Sequence, residues 1–252
     1  MDPHATPAPG EPTTERVKRI FSRIAPDYDR FNAMSSLGLD RLWRRSAVRL
    51  ARPKPSDRVL DLAAGTGDLT IAMARRGRPA YVLSTDFVPE MLEIGREKVA
   101  ELEGRSEVEF AVVDAQDLPF DDETFDIVTV GFGVRNLPDR TANFREVHRV
   151  LKPGGRYVIL EFSRPPFKPF RALYHFYLKT VIPTLGGALT RDRASFDYLN
   201  ESILAFPSQL ALAAELHAAG FASVTWRNLT FGIVAVHVAV KQGRLEGRAP
   251  SV

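Results

Sequence analysis

Two glycines flank a threonine at the end of a short apolar run, in Val59-Leu-Asp-Leu-Ala-Ala-Gly-Thr-Gly-Asp-Leu-Thr70. Gly65 and Gly67 let a ligand approach the backbone where side chains would hold it off. A dinucleotide loop has a third glycine three residues on, and that position is Thr70. No lysine or arginine lies in the loop to meet a phosphate. Asp61 and Asp68 flank it instead, which disfavours a pyrophosphate and favours a cationic ligand. Asp86 closes the next apolar run, nineteen residues after Gly67, where a carboxylate holds ribose hydroxyls. Asp114 closes the run after that, at the height of an adenine amine. Adenine, ribose and a positive charge without phosphate describe S-adenosylmethionine.

These residues need strand ends to carry them. Arg58–Ala63, Tyr81–Asp86, Val108–Asp114, Phe125–Phe132 and Gly155–Phe162 are short runs rich in Val, Ile, Leu and Phe. Helical patterns at Leu69–Arg75, Pro89–Leu102 and Asp139–Leu151 separate several of them. Strands alternating with helices imply a parallel sheet covered on both faces. A helix over Ser208–Ala219 is capped by Ser208 and followed by Gly220. Ser223–Leu229 and Ile233–Val240 then form an antiparallel pair across a three-residue turn. The expectation is an α/β fold with a mostly parallel, seven-stranded, Rossmann-like sheet.

Upstream, Thr13 or Thr14 caps a helix carrying Val17, Ile20, Phe21 and Ile24, which Ala25-Pro26 ends. A second helix spans Asp40–Leu50. Ser163 to Phe206 is too long for a bare loop. In it Phe170, Leu173, Tyr174, Tyr177, Leu178, Val181 and Ile182 recur at helical spacing, while Arg171, His175 and Lys179 share another face. The expected organisation is a loose tail at 1–12, one domain at 13–242 and a loose end at 243–252. Residues 13–51 form a helical cover, and 163–206 a lid insertion.

Composition excludes several classes. The chain of 252 residues lacks cysteine, so disulfides, thiolate zinc sites and cysteine nucleophiles are out, and a reducing compartment fits. A net charge of +3 argues against a nucleic-acid partner. No apolar run approaches the ~20 residues of a membrane span. The polar, proline-rich start is unlike a signal peptide, so a cytoplasmic location is expected. No His/Asp/Glu cluster suggests a metal.

At larger scale the chain resembles the UbiE/MenG-type methyltransferases of menaquinone and ubiquinone biosynthesis, from about Val17 to Val240. The resemblance is carried by "YDRFNAMSSLGLDRLWRR", "VLDLAAGTGDLT", "GFGVRNLPD", "LKPGG", "YLNESI" and "NLTFGIVAVH". It implies a class I methyltransferase fold and S-adenosylmethionine as cofactor, with S-adenosylhomocysteine as product. Carried over by position, the cofactor contacts fall on Thr66, Asp86, Asp114, Ala115 and Gly131, beside Asp61, Gly65 and Gly67 of the loop. Gly131 is a departure, because the pattern has serine there.

The implied reaction is C-methylation of a polyprenylated quinol: demethylmenaquinol, the methoxylated benzoquinol of the ubiquinone pathway, or both. Ring carbon is a nucleophile only when a ring hydroxyl is deprotonated, and a phenol has a pKa of about 10. A cation beside the oxygen or a base must help. Arg135, Asn136 and Tyr28 are the expected catalytic residues. Asp29, Asp192 and Tyr198 stand nearby in the cover and the lid, while His148, His175 and His217 are left out of catalysis. The aromatic face of the lid would line a groove for the tail. Its basic face would make a transient contact with the inner surface of the cytoplasmic membrane; a homodimer stays open. A different small acceptor, or a cofactor-binding subunit without activity, are the competing readings.

Overall fold

The computed structural model describes residues 14–100, 106–181 and 193–244. The expected tail at 1–12, the cap residue Thr13, the end of the Pro89 helix, Ile182, Asp192 and most of 243–252 lie outside them. Seven strands form one sheet: β1 (Arg58–Leu62), β2 (Tyr81–Asp86), β3 (Glu107–Val112), β4 (Phe125–Gly131), β5 (Leu151–Phe162), β6 (Ser223–Leu229) and β7 (Val234–Val240). Their order is β3-β2-β1-β4-β5-β7-β6. The first five run parallel. β7 is antiparallel to both neighbours, because the chain turns back at Thr230–Gly232 and inserts between β5 and β6.

Strand alternation divides the core. Leu60 and Leu62 face one layer, with Phe144, Val147 and Val150 of α6 (Arg140–Val150) and Leu212 and Leu216 of α9 (Gln209–Ala218). Val59 faces the other layer, against Trp43, Ala47 and Val48 of α3 (Asp40–Ala51) and Leu69 of α4 (Asp68–Ala72). Caps fix the helix starts. The Asp139 carboxylate accepts from the amides of Thr141 and Ala142, and Ser208 accepts from that of Ala211.

The elements depart from the sequence reading in four places. After α1 (Thr14–Ile24), Ala25-Pro26 makes a 3-10 turn and the chain re-enters a helix, α2 (Tyr28–Ser35). Pro26 is tolerated because the first turn of a helix needs no N–H from it. The helix after β1 is short and closes in a π turn at Met73–Gly77. β3 stops at Val112, so Asp114 sits in the following loop. β5 starts early, at Leu151, and takes in Lys152-Pro-Gly-Gly. Downstream of α5 (Pro89–Ala100), α6 and β5, the lid begins as α7 (Lys168–Phe176), which continues through a π turn to Val181. It resumes as α8 (Arg193–Ala205).

Candidate active site

A cleft opens at the carboxyl ends of β1, β2 and β4, where ligands bind in open α/β sheets. Gly65, Thr66, Asp86, Asp114, Ala115 and Gly131 line it, with Tyr28 and Asn136. Gly65 and Gly67 hold φ of 56° and 79°, a left-handed backbone that glycine adopts without strain. Gly133 is needed for a different reason: a Cβ there would come within 2.7 Å of the Ala63 Cβ. Ala63 and Phe132, also on the cleft wall, take φ of 46° and 60° without being glycine. Backbone strain of this kind concentrates at functional sites.

Below the loop lies a buried polar knot. Asp61 is fully buried, and its two carboxylate oxygens accept from the hydroxyls of Thr70 and Thr129, each at 2.6 Å. The Thr70 hydroxyl also hydrogen-bonds that of Ser84 at 2.9 Å. Thr70, which breaks the dinucleotide pattern, therefore ties the start of α4 to β1. Burial pushes Asp61 up to about 6, against the pull of the two threonines. Asp61 and Gly67 do not line the cleft. Each Asp61 oxygen is thus engaged by one hydroxyl inside the protein. Gly67 precedes α4 and donates to the Ala64 carbonyl.

Asp86 is 6% exposed. One oxygen accepts from the Gly65 amide at 2.8 Å and the other from the Val88 amide at 2.9 Å. Each keeps lone pairs for a further donor. Burial raises its pKa to about 6, against the backbone donors. Asp114 is exposed and accepts from the backbone and side-chain nitrogens of Gln116. Ala115 is fixed through its carbonyl, which accepts from Asn143, itself held by the Tyr157 hydroxyl.

The helical cover closes on the loop through ions. Thr66 donates to Asp29 at 2.5 Å; Lys98 of α5 pairs with Asp29 at 2.8 Å and with Asp68 at 2.5 Å. Asp68 is also paired with Arg44 of α3 at 3.2 Å, and Arg44 with Asp40. Asp68 is therefore not the free carboxylate that the loop sequence suggests.

Arg135 is the largest surprise. Its side chain is 4% exposed and pairs at 2.9 Å with Glu161 of β5, itself 1% exposed. The guanidinium also donates to the Phe132 carbonyl and lies 5.2 Å over the Phe162 ring. Arg135 stands behind the cleft wall rather than on it. Its Nε is buried without a partner. Burial raises the Glu161 pKa while Arg135 pulls it down. The sequence reading passed over Glu161; its only signal was an acid near the end of an otherwise apolar strand. Asn136 reaches the cleft and accepts from the Tyr198 hydroxyl of the lid at 3.1 Å. Burial raises the Tyr28 pKa despite Arg135 nearby, so Tyr28 is a hydrogen-bond donor at neutral pH.

A second, apolar chamber of about 470 Å³ lies next door. Trp43, Phe162, Tyr174, Leu178, Leu199 and Ile203 line its interior, and Leu37, Leu173 and Phe176 its rim. Phe132 of the cleft and Phe162 of the chamber pack with ring centroids 4.9 Å apart. One aromatic layer thus separates the two spaces. Tyr174 and Leu178 are buried against Ile203 of α8, and the Tyr174 hydroxyl has no partner. His148 stacks edge-on against Phe221, and His217 hydrogen-bonds the Phe221 carbonyl, both away from the cleft.

The family model described as "ubiE/COQ5 methyltransferase family" matches residues 11–241. The chain belongs to that family. Among similar curated proteins is a demethylmenaquinone methyltransferase of Clavibacter sepedonicus, 48% identical over 90% of both chains. The demethylmenaquinone methyltransferase of Thermus thermophilus is also 48% identical, over 87% of this chain and 98% of that one. A protein of Geotalea daltonii named ubiquinone/menaquinone biosynthesis C-methyltransferase is 43% identical over 90% and 97%. Solved structures share the fold at lower identity. A Thermotoga maritima S-adenosylmethionine-dependent methyltransferase matches with TM-score 0.65 at 20% identity, covering 90% of this chain and all of that one. The [4+2]-cyclase SpnF reaches 0.68 at 17%, covering 95% and 100%. A fold that also serves a cyclase does not by itself name a reaction; family membership does. The chain is an S-adenosylmethionine-dependent methyltransferase of class I fold, and the glycine cradle with a buried strand-end carboxylate fits that cofactor.

Proposed function

We propose that this enzyme methylates a ring carbon of a prenylated quinol in menaquinone or ubiquinone biosynthesis, with demethylmenaquinol as acceptor. The relatives' names support the reaction. The observation that carries the assignment here is the apolar chamber one aromatic layer from the cofactor cleft. The bound cofactor supplies an electrophilic sulfonium methyl. That methyl would pass to the acceptor's ring carbon as the carbon–sulfur electron pair stays on sulfur, and the ring proton would pass to water. Asn136 and Tyr28 face the cleft and orient the ring oxygen. Arg135 acts from behind the cleft wall, where its buried positive charge favours a developing phenolate without touching it, and Glu161 holds the guanidinium in place. The quinone form cannot supply the electron pair. Labelled methyl should therefore enter a short-chain naphthoquinol kept reduced, and not its quinone. Absence of transfer to any reduced quinol by the pure protein would favour the reading as a non-catalytic subunit, and transfer to an unrelated acceptor the other competing one.

In the same reading the cofactor's ribose sits on Asp86, its adenine on Asp114 and Ala115, and its remaining contacts fall on Gly65, Thr66 and the backbone of Gly131. Ribose hydroxyls donate to a carboxylate, so binding favours ionised Asp86. With its pKa near 6, affinity should fall as pH drops through about 6, where a proton must first be removed. Asp86→Asn should bind S-adenosylhomocysteine roughly 10- to 100-fold more weakly, as loss of a charged hydrogen bond costs ~1.5–3 kcal/mol. It should also flatten that pH dependence. Calorimetry across pH 5–8 reads both, and a variant that keeps the parent's affinity would take Asp86 out of the site.

Among the described residues no helix is long and apolar enough to cross a membrane. The chamber rim, with Leu37, Leu173 and Phe176 exposed and Phe231 close by, supports a transient contact with a lipid surface. Arg171 and Lys179 add charge; burial and those two cations lower the His175 pKa, so it adds none at neutral pH. Arg171→Glu with Lys179→Glu should weaken binding to anionic liposomes, more at low salt than at high salt. Equal sedimentation of variant and parent would argue against that contact.

A further inference from the structure

We infer that Arg44 anchors the carboxylate of the cofactor's amino-acid arm. In the reading above Asp86 and Asp114 fix ribose and adenine toward β2 and β3. The amino-acid arm is then left the side of the cleft between the β1 loop and β4. Arg44 lies on that side: it pairs with Asp68, the first residue after the glycine loop, and sits 5.8 Å over the Phe132 ring at the end of β4. Arg44 and Asp68 both line the cleft. An amino-acid arm is a zwitterion, and this wall offers one group of each sign.

The pairing leaves Arg44 able to take a ligand. Asp68 is shared with Lys98 at the shorter distance of 2.5 Å, against 3.2 Å to Arg44. The contacts with Asp40 and Asp68 use Nη1 and Nη2, and a guanidinium has five N–H donors in a fork that suits a second carboxylate. The side chain is only 10% exposed, where a charged hydrogen bond is screened little by solvent. Asp40 at the start of α3, four residues before Arg44, keeps the guanidinium from swinging away.

The test needs no acceptor substrate, so it stands apart from the identity of the quinol. Calorimetry would compare S-adenosylhomocysteine with two ligands lacking the carboxylate, decarboxylated S-adenosylmethionine and 5′-methylthioadenosine. Arg44→Gln should weaken S-adenosylhomocysteine by about 10- to 100-fold and leave the other two within about threefold. Arg44→Lys, which keeps a charge for Asp40, should show a smaller loss of the same pattern and guards against a glutamine variant that fails to fold. In either variant the readout is the ratio of affinities for S-adenosylhomocysteine and 5′-methylthioadenosine. A fall in that ratio supports the anchor. An unchanged ratio overturns it and leaves Arg44 as a strap between α3 and α4.

Discussion

Arg135→Ala should cost the protein stability as well as turnover. The substitution leaves Glu161 charged and buried with its cation gone, and breaking a buried pair in this way typically costs ~3–5 kcal/mol. For a chain of this size that lowers the melting temperature by roughly 10 °C. The simple expectation from the motif, a folded enzyme that binds cofactor and turns over slowly, therefore does not hold for alanine. Adding Glu161→Gln to Arg135→Ala should restore most of the stability, because the orphan charge is removed. It should not restore turnover if the Arg135 cation favours the phenolate from behind the wall. Arg135→Lys should fold yet stay slow, since a point charge offers no fork. A double variant with normal turnover would end the catalytic role of Arg135, and an unshifted melt for Arg135→Ala would show that Glu161 takes up a proton at little cost. Burial already raises the Glu161 pKa, which makes the second outcome a fair test.

The strands were legible because each is a dense run of branched and aromatic residues bounded by polar turns; β2 and β6 match to the residue. The insertion of β7 between β5 and β6 was not legible, since a hairpin signal says that two strands pair and not which edge they join. α2 was hidden because Pro26 reads as a stop, although proline is equally at home in a first turn. At the site, the sequence picks out the carboxylates by their place at strand ends. It does not tell which of them face the ligand. Asp61 is in register with Ser84, two residues before Asp86, and is engaged by Thr70 and Thr129, while Asp86 lines the cleft. That difference depends on hydroxyls from α4 and β4, nine and sixty-eight residues away. Glu161, Arg44 and Lys98 went unremarked for the same reason. Their partners are set by packing, and an isolated charge in a sequence carries no sign of its partner.

The chamber gives the second large effect. Burying one CH₂ is worth about 0.8 kcal/mol, so the five carbons of one isoprene unit represent up to ~4 kcal/mol before the costs of ordering it. Even a third of that surplus makes a prenylated naphthoquinol bind about tenfold better than the tailless ring, read as a lower KM. The residues for testing this are set by burial. Tyr174 and Leu178 look like the natural targets from the helical pattern, but both are packed against Ile203, and a carboxylate there would dismantle the lid. Leu173 and Phe176 line the same chamber while 62% and 60% exposed, so Leu173→Asp with Phe176→Asp should fold normally. The two new charges meet the tail as it enters. KM for the prenylated acceptor should rise at least tenfold, with KM for the tailless ring and affinity for S-adenosylhomocysteine unchanged, because the proposed cofactor cleft lies on the other side of the Phe132–Phe162 layer. A variant that treats tailed and tailless acceptors as the parent does would mean that the tail leaves the cleft by another route, and the aromatic layer would then be a wall instead of a threshold.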